Sequence, residues 1–184
     1  MIKKSIFACI GLLIIACIFL GFYSCKKPYL LIDCVNKWSY HYDLDPTLVL
    51  AIISVETCHG KWQERNDSYR LHKQKWAIET VKKYNCDVRD QKIWHSIGWM
   101  QVLYLTAIQE GYKGTPEGLH CADTNLKYGC KYFADKRNVY LNNWHAVSAY
   151  NAGRVRFDWR GMYQNQDYVT AVKSEYYRMG GGLK

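Results

Sequence analysis

Alternation of apolar and polar residues, the mark of a half-buried strand, is scarce in this 184-residue chain. That scarcity argues against a sheet protein and leaves helices to build the fold. No internal repeat and no low-complexity linker interrupts the sequence, so neither a solenoid array nor a string of tethered modules is expected. There is no Cys-x-x-Cys and no His-x-x-x-His. The usual zinc spacings are therefore missing, and a zinc site is not expected. A compact arginine-rich run and a recognisable nucleic-acid motif are also absent, so nucleic acid is not an expected partner. Acidic side chains are the minority sign, 16 against 25 Lys and Arg, for a net charge of +9.

What is present is a globular composition, 49% hydrophobic and long enough for one domain with a core. Seven Trp and sixteen Tyr are unusually many. Aromatic rings stack on the faces of sugars as readily as they fill cores, so the excess suits a carbohydrate groove while most of the rings remain packing residues.

Residues 1–25 read as a separate unit, a transmembrane anchor or a signal segment. Lys3 and Lys4 precede a run from Ile6 to Tyr23 that holds no charge and no proline. At about 18 residues the run is close to the minimum for a membrane-spanning helix, and the lysines place its start in the cytoplasm. No good Ala-x-Ala marks a cleavage site. Ile14-Ile15-Ala16-Cys17 is similar to the lipobox of bacterial lipoproteins, and Ser24-Cys25 more weakly so. Anchor, lipoprotein and secretory signal all export the remainder, which keeps a net charge of about +7 and suits an anionic polymer. Cys25, Cys34, Cys58, Cys86, Cys121 and Cys130 form an even set able to pair in an oxidising compartment, with no pairing specified.

Residues 29–180 form the second unit, expected to be all-α. Helical spacing runs from Tyr29 to Tyr42, and Asp45-Pro46 is a helix start with a capping carboxylate and a first-turn proline. Leu48, Ala51, Ile52 and Val55 line one face of that helix, and Gly60 is expected to close it. Further helices are expected over 73–84, 104–110, 124–141, 144–150 and 166–179.

Glu56 lies at the greasy end of the Pro46 helix. Backbone carbonyls point toward it there and the apolar face desolvates it, and both effects favour the protonated form that a general acid requires. Gly98-Trp-Met100-Gln101 combines a glycine that lets backbone approach a ligand, a soft filler and an amide able to hold a hydroxyl or acetamido group. Ala149-Tyr150-Asn151-Ala-Gly153 places a ring and an amide at a helix end, where a helix stop is the competing explanation.

In this order the segments resemble the SLT-type lytic transglycosylases, from about Tyr40 to Tyr177. The Glu-Ser pair that closes an Ala-Ile-Ile helix in that family reads Ala51-Ile-Ile-Ser-Val-Glu56-Thr57 here. Its Gly-Leu-Met-Gln reads Gly98-Trp99-Met100-Gln101. Ala-Tyr-Asn-Ala-Gly stands unchanged, Asn125-Leu-Lys-Tyr-Gly129 matches Asn-Leu-x-x-Gly, and the late tyrosine is Tyr168. Thr57 keeps a hydroxyl in place of serine, Trp99 alters the packing under the groove, and about 40 residues between Thr57 and Gly98 exceed the length in compact members.

The resemblance implies a lysozyme-like helical domain that cuts peptidoglycan glycan strands without metal or cofactor. Glu56 would be the catalytic acid and base, with Thr57, Gly98, Met100, Gln101, Tyr150, Asn151 and Tyr168 around the substrate. Two-carboxylate glycosidases need a second acid, and Asp43, Asp45, Glu64, Asp67, Glu79, Asp87 and Asp90 fall in no shared motif. The implied product is a 1,6-anhydromuramyl end, closed by a tethered hydroxyl that outcompetes water. A goose-type muramidase would use the same glutamate to deliver water, and a silent wall-binding scaffold would make no soluble product. Export and the short link after Tyr23 suggest action beside the cytoplasmic membrane, within an envelope-spanning assembly or in local wall growth.

Overall fold

The computed structural model describes residues 31–58 and 64–182. Helices dominate: α1 (Leu31–His41), α2 (Pro46–Glu56), α3 (Ser68–Leu71), α4 (Lys75–Tyr84), α5 (Tyr104–Gln109), α6 (Ala122–Tyr140), α7 (Asn143–Ala152) and α8 (Gln166–Arg178). The longer ones fall where apolar spacing predicts them. Residues 1–25, Tyr29 and Gly60 lie outside the described residues. Among the described residues no helix is long and apolar enough to cross a membrane.

The start of α2 forms as expected. Asp45 accepts from the Thr47 amide at 2.8 Å and Pro46 occupies the first turn. Its end differs from the expectation. The helix stops at Glu56, with Thr57 as the C-cap and Cys58 in the left-handed region at φ 49°, so Cys58 takes the place expected of Gly60. Leu48, Val49, Ala51 and Ile52 have no exposed surface, and α2 runs through the core against α8. Polar contacts fix that pairing at both ends. Ser54 donates to Glu175 at 3.0 Å, and the Tyr176 hydroxyl donates to Asp45 at 2.7 Å.

A small antiparallel sheet accompanies the helices in this mainly helical fold. Strands β1 (Glu64–Asn66), β2 (His95–Ile97) and β3 (Val102–Leu103) lie in the order β1-β2-β3, with Arg65 opposite Ser96 and Ile97 opposite Val102. Strands of two and three residues are too short to show alternation. The long stretch between Thr57 and Gly98 buries an apolar cluster of its own, formed by Leu71, Ala77, Val81, Ile93 and Trp94 with Leu105. Cys58, Cys86 and Cys130 are free thiols, so the exported cysteines do not all pair as the even set allowed.

Candidate active site

The β2–β3 turn carries Gly98 to Gln101, and its shape depends on Asn125 of α6. The Asn125 side chain accepts from the Met100 amide at 2.8 Å and donates to Ile97 O at 2.7 Å and to Leu119 O at 3.1 Å. A Cβ at Gly98 would stand 2.3 Å from Asn125 Nδ2 and 2.7 Å from Leu119 O, and the residue holds φ 75°. Only glycine fits there. Four residues beyond Asn125, a Cβ at Gly129 would meet Met100 Sδ at 2.5 Å, so the Asn-Leu-x-x-Gly spacing lets one helix hold the turn by its amide and admit Met100. Gln101 adopts φ 45° and folds back on the same turn, its Nε2 donating to Gly98 O at 3.0 Å.

Helix α7 closes the turn from the other side. The Tyr150 hydroxyl donates to Met100 O at 2.6 Å. Asn151, at the exposed end of that helix, accepts from Asn165 Nδ2 at 3.1 Å, and Asn165 is tied to Ser148 by bonds of 2.7 and 3.0 Å. Asn165 thereby joins the end of α7 to the start of α8, where Tyr168 stands.

Glu56 is buried and 9% exposed. Tyr168 donates its hydroxyl to Oε1 at 2.8 Å. Burial pushes the Glu56 carboxyl up to about 7; the Tyr168 hydrogen bond and the charges of Arg65 and Arg70 pull the other way, while Asp67 adds to the rise. Burial and the charge of Glu56 hold the Tyr168 hydroxyl well above its ordinary range, so it remains a donor at neutral pH.

The residues singled out by sequence take distinct places. Glu56 and Tyr168 meet directly, whereas Gly98, Met100, Gln101 and Tyr150 form one hydrogen-bonded unit. Met100 has no exposed surface and Thr57 has 1%. The Thr57 hydroxyl donates to Ile53 O at 2.8 Å, within its own helix. Asn151 is exposed.

Sequence reasoning names Asp67 only as an acid outside the shared motifs and misses the cluster around it. Asp67, 2% exposed, accepts from Arg65 at 3.2 Å, from Arg70 at 3.3 Å and from Ser96 at 2.6 Å. It reads as one polar residue in a polar run, and only the pairing of β1 with β2 reveals the cluster. On the same strand Glu64 pairs with His95 and, at 3.2 Å, with His120. Among the described residues no group of three or more His, Cys, Asp or Glu side chains is arranged to hold a metal ion.

The family model described as the transglycosylase SLT domain matches residues 33–170, about three-quarters of the 184-residue chain. No curated protein matches the chain. The matched span runs from α1 to the first turn of α8 and holds every residue of the Glu56 site. The chain therefore belongs to the transglycosylase SLT-domain family, mainly helical and lysozyme-like, whose activity is peptidoglycan degradation of the lytic transglycosylase type.

Proposed function

We propose that the protein is a peptidoglycan lytic transglycosylase, a lyase that cuts the β-1,4 bond from N-acetylmuramic acid to N-acetylglucosamine and leaves 1,6-anhydromuramyl ends. The observation that carries this reading is a buried Glu56 carboxyl raised to about 7. A group so poised holds a proton near neutral pH and gives it up readily. Glu56 protonates the bridging oxygen as the bond to the muramyl carbon breaks, and the substrate's acetamido group supports the developing cation. The resulting carboxylate then takes the proton of the muramyl C6 hydroxyl, whose oxygen bonds to that carbon, and Glu56 returns to its starting state. Tyr168 steadies the carboxylate between the two steps through its 2.8 Å bond.

A single carboxylate fits the surroundings. Asp67, the acidic group whose charge acts on Glu56, is held by two arginines and a serine and is buried. Its oxygens are engaged and poorly placed to attack a sugar carbon. Product mass tests the reading: an anhydromuramyl end is lighter than a reducing end by one water. Reducing ends would make the enzyme a muramidase, and no soluble product would make it a scaffold.

The same reading places the enzyme at the cell envelope. Residues 1–25 hold it in the cytoplasmic membrane with the domain facing the wall, supported by the uncharged run from Ile6 to Tyr23 after two lysines. An envelope-spanning assembly that needs a local gap in the wall is the fitting partner.

A further inference from the structure

A buried carboxylate with two arginines is an expensive arrangement unless its geometry is used, because taking such charges from water costs several kcal/mol per ion. Asp67 is fixed from every side. Its amide donates to Trp94 O at 3.1 Å, its carbonyl accepts from the Arg70 amide at 3.0 Å, and its carboxylate takes the Ser96 hydroxyl. Arg65 approaches that carboxylate through Nε and Nη2 at 3.2 Å, and Arg70 through Nη2 at 3.3 Å. Each guanidinium carries five N–H donors, so this fork engages only part of each one. Both remain partly solvent-facing, with side chains 43% and 47% exposed. Two cations against one anion leave the cluster with a positive excess.

The place of Arg65 gives that excess a direction. It lies on β1 directly opposite Ser96, two residues before Gly98 opens the site turn. Its charge is felt by both Glu56 and Tyr168. A cation there is pinned at its base by Asp67, on the strand paired with the one that leads into the site turn.

Resting on the proposed activity, we infer that Arg65, steadied with Arg70 by the buried Asp67, is a substrate-positioning cation that receives a carboxylate of the glycan strand. The carboxylate belongs either to the peptide stem or to the lactyl group that a stem leaves bare on removal. Arg65 supplies a planar fork that matches such a group, and a lysine would offer only a point charge.

The test compares native protein, Arg65→Gln and Arg65→Lys on three substrates: stem-bearing strands, amidase-stripped strands with free lactyl carboxylates, and strands whose carboxylates are capped as neutral amides. Rates are taken at each variant's own pH optimum, because losing Arg65 also alters the field at Glu56. Arg65→Gln is expected to raise KM about tenfold on strands that keep the recognised carboxylate, with a smaller change in kcat, and to match the native KM on capped strands. Arg65→Lys should recover part of the loss. A defect confined to stem-bearing strands assigns the stem carboxylate, and one confined to stripped strands assigns the lactyl group. Equal KM values for native and Arg65→Gln on all three, or an equal defect on capped strands, would overturn the inference. Reducing ends from native protein would instead overturn the transglycosylase reading while leaving this comparison intact. Sedimentation of Glu56→Gln with and without Arg65→Gln on intact wall gives a readout free of turnover. Weaker, less salt-sensitive binding of the double variant is expected, and identical binding curves would count against the role.

Discussion

The Tyr168 hydroxyl donates to Glu56 Oε1 at 2.8 Å across 112 residues of chain. That contact joins the end of α2 to the first turn of α8, and the packing of those two helices sets its length. Tyr168→Phe removes a hydrogen bond that favours the charged carboxylate, so the Glu56 pKa should rise above about 7. Turnover should fall by about 1–3 kcal/mol of transition-state binding. Its alkaline limb should move to higher pH. A pH–rate profile that keeps its limb would place the hydroxyl outside the reaction.

Glu56→Gln keeps the shape of the side chain and removes the proton exchange. Turnover should drop by at least about 100-fold with glycan binding retained. Wall lysis by a well-folded Glu56→Gln protein would refute the one-carboxylate mechanism.

The same carboxyl sets a pH dependence of stability. Burial raises its folded pKa from 4.5 to about 7, so the folded state holds a proton that the unfolded state releases across that window. Its destabilising contribution is absent below the lower value, grows as pH rises and is complete above the upper one, on the order of 3 kcal/mol. Glu56→Gln should therefore flatten the stability curve between those limits. Urea titrations at pH 4.5 and pH 8 check this, and equal slopes for native and variant would contradict it.

Two glycines with positive φ should behave differently. A Cβ at Gly98 collides with Asn125 and with Leu119 O, whereas a Cβ at Gly153 meets nothing within 4 Å. Gly153→Ala should cost about 1–2 kcal/mol, the left-handed backbone alone. Gly98→Ala should cost more, about 3 kcal/mol or above, and should reduce activity with it. Thermal melts compare the pair directly.

Replacing residues 1–25 with a cleavable signal should release a soluble domain that digests purified wall as well as the native protein does. The link from Ser24 to Pro28 adds less than about 20 Å of reach, so the native form should act beside the membrane and the released form should damage cells more widely. A native protein that is already soluble, with its mature start beyond Tyr23, would contradict the tether.

Much of the fold was legible because long helices repeat their pattern. α6 and α8 start and end within two residues of their expected limits. The sheet was not, since its strands are over before a period of two can show. At the site, the segments single out Glu56 and Tyr168, which the fold brings into contact. Thr57 was expected beside the substrate because a hydroxyl was kept, yet a β-branched residue on the last turn of a helix finds the carbonyl of Ile53 first. Asp67 was unreadable for the opposite reason. Its partners Arg65 and Arg70 are near in sequence, but Ser96, which helps to bury it, arrives only through strand pairing.

Asn125 has one further consequence. Its amide meets three partners from a helix outside the turn, and those bonds exist before any sugar arrives. The entropy of ordering Ile97 to Gln101 is thus lost during folding, and a bound strand need not supply it. Binding energy is left free to distort the reacting ring toward its flattened, cation-like geometry. The Met100 amide should then exchange with solvent as slowly in the empty enzyme as in the occupied one.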